Sequence, residues 1–150
     1  MKIKFQKDSS LELDEIEVEV RALEENTTVK KLINYVNKFG KRNRSLLPIK
    51  TEDRIATIKV DDVIKIEVQS TSLTYFTTNE MIKTSGRLYQ AIENLNENFV
   101  QVSRHSVINL NYLESIESGF AGNMVAILAG KLKADVSRRY LPELEKELGL

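Results

Sequence analysis

The sequence contains no cysteine, which removes disulfide frameworks, thiolate zinc sites and cysteine nucleophiles together and fits a reducing compartment. Its only histidine is His105, too few for a histidine metal cluster. Neither sign of charge is in excess. Lys plus Arg total 22 and Asp plus Glu total 22, so the whole-molecule field does not draw in nucleic acid, and contact with a polyanion has to be local. No continuous apolar stretch opens the chain. Met1-Lys2-Ile3-Lys4-Phe5 alternates instead, unlike a secretion signal, and the expected location is the cytoplasm. A phosphate-binding Gly-rich loop, a nucleophile elbow and a zinc-hydrolase helix pattern are also missing. A Ser–His pairing around His105 shows neither an orienting third group nor an oxyanion site, and a catalytic reading would require an enclosed pocket there. The chain is therefore read as a non-enzyme with no cofactor and no small-molecule substrate.

What is present is enough for a core. The chain has 150 residues, of which 41% are apolar and 29% charged, a balance that suits one compact domain or a domain of about 100 residues with a small attachment. The first forty residues read as two strands and a helix. Ile16, Val18 and Val20 alternate with Glu17, Glu19 and Arg21, a period of two, and residues 2–5 read similarly. Val29, Leu32, Ile33, Val36 and Phe39 then fall on one helical stripe, with Asn26 and Thr27 as capping candidates and Gly40 as a stop. That stripe has a face to bury, either on the chain's own β-domain or against its copy in a dimer. Lys41-Arg42-Asn43-Arg44-Ser45 is polar and basic, which places a boundary between about residues 40 and 47. It reads as a linker or as a phosphate-contacting arm.

From residue 47 onward, turn-forming clusters separate short apolar or alternating runs, the punctuation of a β-rich domain. Nine strands are expected, at residues 54–60, 63–69, 73–77, 80–83, 99–102, 106–110, 113–118, 124–128 and 132–136. Two helices accompany them, one marked by Leu88, Ala91, Ile92 and Leu95 and one by Leu141, Leu144 and Leu148. Pro142 lacks an amide hydrogen and suits only the first turn of the last helix. Ser137-Arg138-Arg139 consequently lies at that helix's entrance, where unpaired backbone amides favour anions.

Residues 99–110, F-V-Q-V-S-R-H-S-V-I-N-L, are the most informative segment. Two apolar strands flank the polar residues Ser103, Arg104, His105 and Ser106, which form either an exposed contact knob on a stiff support or a plain solvent-facing turn. Asn109, polar within an apolar strand, is expected to satisfy nearby backbone groups. This segment resembles the central signature of the LytTR family: an aromatic-led strand, a short His/Arg/Ser-type contact segment and a Val-Asn-Leu-like strand. Val63-Ile-Lys-Ile-Glu67 is similar to the family's strand ahead of the signature, residues 87–95 to its helix, and Val136-Ser-Arg-Arg-Tyr140 to its closing strand-to-helix motif. The resemblance runs from about residue 47 to 150.

The resemblance implies a mainly β fold with a few helices: a LytTR-type antiparallel domain at 46–150, preceded by a small strand–strand–helix extension at 1–45. It implies double-stranded DNA as ligand, with loops and a helix entrance inserted in successive major grooves. Carried over by position, Arg104 takes the main base-contacting place and Arg138 the corresponding place of the closing motif. An arginine fork can pair with both acceptors of a guanine edge. Ser103, His105, Ser106, Ser137 and Arg139 complete the expected contacts. The family's third contact loop carries a long polar side chain, whereas residues 70–73 here offer Ser70, Thr71, Ser72 and Leu73. Ser70 and Ser72 there are backbone contacts or members of a plain hairpin turn. The extension is too short for a receiver domain. Stand-alone members of the family often lie in systems with a membrane-embedded inhibitor, so the resemblance adds such a partner, together with a homodimer on DNA. A protein-interaction adaptor that has lost DNA binding is the alternative.

Overall fold

The computed structural model describes residues 1–13, 15–39 and 45–150. The helix stop expected at Gly40 and the basic segment 41–44 lie outside the described residues. The chain divides into two compact units, Met1–Lys38 and Phe39–Leu150.

Helix α1 spans Thr27–Phe39, all but its last residue in the first unit. Asn26 starts it: its Oδ1 accepts from the Thr28 and Val29 amides, both at 3.0 Å, while its carbonyl accepts the first helical bond from Lys30. The two strands expected ahead of α1 do not form. Residues 2–5 and 16–20 carry no strand, and Ile3, Phe5 and Ile16 are exposed. Alternation gives a segment two faces but supplies no neighbouring edge, and an isolated two-stranded ribbon is marginal in water.

The second unit is antiparallel throughout. Its strands are β1 (Leu46–Lys50), β2 (Ile55–Lys59), β3 (Val63–Gln69), β4 (Ser72–Thr77), β5 (Met81–Ser85), β6 (Phe99–Gln101), β7 (Ser106–Asn109), β8 (Leu113–Ser118), β9 (Met124–Leu128) and β10 (Leu132–Val136). Helix α2 (Leu88–Ile92) follows β5, and α3 (Leu141–Glu147) follows β10. The strands assemble as a β1-β2 pair, a five-stranded sheet β5-β4-β3-β7-β6 and a three-stranded sheet β10-β9-β8. Strand β1 was not expected, because Pro48 stands at its centre. Proline removes a ladder donor, and it is tolerated here because β1 pairs with β2 alone.

The five-stranded sheet is apolar on both faces. One face sends Ile66, Leu73, Tyr75, Ile82 and Val107 into a core shared with Leu47 and Ile49 of β1, Ile58 of β2 and Leu88 and Ala91 of α2. The other packs Ile64, Val100 and Ile108 against Ala126, Leu128, Ala134 and Val136, with Leu144 of α3 closing that core. Lys65 crosses between the two larger sheets. Buried at 5% exposure, its ammonium donates to Glu67 Oε1 and to the Lys133 carbonyl (2.7 Å) and sits 4.4 Å from the centre of the Phe76 ring. The charge is thereby matched on each accessible side.

Asn109 is 1% exposed. Its Nδ2 donates to the Val63 carbonyl (2.9 Å) and its Oδ1 accepts from the Asn111 amide (3.0 Å), so the side chain serves the backbone, as its place in an apolar strand implied. Asn109→Ala is expected to leave both backbone groups without these partners and to cost roughly 1–3 kcal/mol, read as a lower midpoint in urea denaturation.

Candidate nucleic-acid interface

Strand register brings several loops to one end of the sheets. Gln69 pairs with Ser72 across a two-residue turn, Ser70-Thr71, in which Ser70 takes a left-handed φ of 59°. Glu67 pairs with Ser106, which sets the turn between β6 and β7 beside that hairpin, and the Val68 amide donates to the His105 carbonyl (2.8 Å). Met124 pairs with both Ser118 and Val136, so the β8–β9 turn and the exit of β10 share an end. The Ser137 amide then donates to the Val102 carbonyl (2.9 Å), fastening the exit of β10 to the root of the β6–β7 turn.

Within the β6–β7 turn, the Val102 and Ser103 amides both donate to the Ser106 carbonyl, at 3.0 and 3.3 Å. Ser103 Oγ accepts from the His105 amide (3.1 Å), and its carbonyl accepts from Gln101 Nε2 (2.9 Å). Such local hydroxyl-to-amide bonds stabilise turns. They leave Arg104 and His105 exposed at the tip, while Ser103 is half-buried. Ser106 is not brought to the surface: it is 7% exposed at the first position of β7. Ser137 is half-buried, and its carbonyl accepts from the Tyr140 (2.9 Å) and Leu141 (3.1 Å) amides. Arg138 and Arg139 are exposed in the turn this closes. Ser70 and Ser72 are exposed on their hairpin.

Two exposed residues at this end escaped the sequence reading. The Gly86 amide donates to the Thr71 carbonyl (2.9 Å), placing the exposed Arg87 beside the hairpin that lacks a long polar side chain. Phe120 stands on the β8–β9 turn. Both are neighbours only through long-range pairing, and no local pattern marks them.

The electrostatics are polarised along the strands. Residues 70–71, 86–87, 103–105, 119–122 and 137–140 include Arg87, Arg104, His105, Arg138 and Arg139 and no carboxylate. Among the described residues none of these four arginines is in an ion pair. The opposite end carries Asp61, Asp62 and Glu80: Thr78 donates its amide to the Asp62 carbonyl, and Glu80 pairs with Arg54 at 2.9 Å. A chain of zero net charge thus presents a cationic end whose guanidiniums are free to bind an anion.

His105 lies on an exposed turn, and it does not line the cleft formed by β1, β4, β5 and α2. The enclosed geometry that a histidine-centred catalytic site needs is not around it. Among the described residues, no three His, Cys, Asp or Glu side chains converge as a metal site would, and no helix is long and apolar enough to cross a membrane.

An antiparallel β-domain with an arginine-bearing loop end, and with no two of its described helices joined by a tight turn, defines a loop-presenting class of protein rather than a helix-turn-helix one. A solved LytTr DNA-binding domain from Bacillus cereus has this fold, with a TM-score of 0.64 at 17% identity over 72% of this chain and all of that one. The profile of the LytTr DNA-binding domain family matches residues 53–149, and the chain belongs to that family. An uncharacterised HTH-type transcriptional regulator of Staphylococcus aureus is 29% identical over 133 residues, 89% of each chain. The sensory transduction protein LytT of Enterococcus faecalis is 29% identical over 105 residues, 69% of this chain and 43% of that protein.

Proposed function

We propose that the chain is a cytoplasmic, sequence-specific regulator of transcription that reads double-stranded DNA with the loop end of residues 46–150. The observation that carries this reading is the convergence of Arg104, Arg138, Arg139 and Arg87 on one carboxylate-free end of the sheets. Arg104 and Arg138 each reach a base edge in the major groove. Arg139, Arg87, His105 and the hydroxyls of Ser70, Ser72, Ser103 and Ser137 hold the flanking phosphates. Ser106 sets the shape of the β6–β7 turn from beneath. The Staphylococcus aureus relative carries a transcriptional regulator's name, which agrees with this role.

Two copies bind as a homodimer, or as paired monomers on repeated half-sites. The extension of residues 1–45 is the control element, through which a membrane-embedded inhibitor would act. Selection of bound duplexes from a random pool tests the reading. It should return a repeated motif with half-sites about 10–10.5 base pairs apart or a multiple of this, one helical turn. A pool that shows no enrichment would instead favour the protein-interaction adaptor.

A further inference from the structure

Phe120 is 95% exposed, more than any other large apolar side chain in residues 46–150. The turn that carries it is shaped closely. The Gly119 amide donates to the Asn123 carbonyl (2.6 Å) and the Asn123 amide to the Phe120 carbonyl (3.2 Å). Ala121 (φ 55°, ψ 33°) and Gly122 (φ 76°) both lie in the left-handed region, the pattern of a tight hairpin turn. Ala121 holds this conformation despite its Cβ, which left-handed backbone disfavours. A side chain on Gly119 would meet Val125 Cγ2 at 2.7 Å, so the turn lies tight on β9. At Gly122 a Cβ would stand 3.5 Å from Arg138 Nη2. The turn that carries Phe120 therefore lies beside the Arg138 guanidinium, at the end where the other arginines gather.

We infer that Phe120 is a specificity-determining DNA contact, its ring resting on the 5-methyl group of a thymine next to the base pair read by Arg138. This rests on the DNA-reading function proposed above. A phenyl ring offers no hydrogen bond, and the apolar feature of a major-groove edge is the thymine methyl. The backbone that carries the ring is already fixed by the left-handed turn, so binding has only the two side-chain torsions of Phe120 left to order.

The test uses the full chain and the duplex recovered by selection, with each thymine replaced in turn by uracil to delete one methyl. Wild-type protein should lose about fourfold in affinity at one or two thymines, the effect of one methyl-sized group leaving water. Those thymines should flank the base pair that Arg138→Ala no longer distinguishes. Phe120→Ala should bind about tenfold more weakly and lose the methyl sensitivity, with its thermal midpoint unchanged. Wild-type affinity and methyl sensitivity in Phe120→Ala would overturn the proposal. So would unchanged DNA binding with lost transcriptional output, which would make the ring a protein contact. If wild-type protein fails to distinguish the duplex from a scrambled one, DNA reading itself fails and the proposal falls with it, a result separable from the others.

Discussion

Arg104→Ala is expected to lower affinity for the selected duplex by roughly 10–100-fold, the discrimination of one bidentate base contact, ~1–3 kcal/mol. Its effect on a scrambled duplex should be much smaller, because phosphate contacts carry non-specific binding. The physical ground is the turn itself. Ser103 Oγ and the Ser106 carbonyl shape the backbone on either side of Arg104, so the exposed guanidinium is carried on a turn whose backbone is already fixed. Arg104→Lys keeps the charge but loses the planar pair of donors. It should preserve the salt dependence of binding while relaxing preference at one base pair. Arg138→Ala should relax preference at a different base pair. Because the two loops are fastened by the Ser137 amide on the Val102 carbonyl, some coupling between the two variants is expected in a double-mutant cycle. Parallel anisotropy titrations on the two duplexes check all of these outcomes.

The largest effect on folding is expected at Leu144. This residue is fully buried, and it roots α3 in the core between the five-stranded and three-stranded sheets. Leu144→Ala should cost about 2–5 kcal/mol, a large share of the ~5–15 kcal/mol that holds a domain together. Thermal and urea unfolding measure the loss. Losing the anchor should also loosen the turn closed by the Ser137 carbonyl, because that carbonyl accepts from Leu141 at the first turn of α3. Arg138 should consequently contribute less to discrimination in Leu144→Ala than in the wild-type chain, at a temperature where both are folded.

Sequence periodicity located four strands to the residue. β3, β8, β9 and β10 coincide with the expected runs at 63–69, 113–118, 124–128 and 132–136, because each alternates or runs apolar between clear turn residues. Strand β1 was illegible because Pro48 marks a break in local terms, and only its single neighbour makes proline acceptable. The opposite error occurred at residues 16–20, where a well-patterned segment found no edge to join. For the site, the polar interruption of residues 103–106 and the arginine pair before Pro142 were visible, since both break an apolar pattern. The burial of Ser106 was not visible, because strand register decides on which side of the turn it falls. Arg87 and Phe120 were equally hidden. Their proximity to the reading loops depends on the Gly86–Thr71 bond and on the shared pairing of Met124.

The central claim is that the arginine-bearing loop end reads sequence rather than charge alone. Its most direct test is a competition titration at fixed physiological salt, with the selected duplex labelled and either itself or a scrambled duplex of equal length as competitor. A sequence reader of this kind should prefer its own duplex by about 10³-fold or more. Equal competition by the two duplexes would contradict the account.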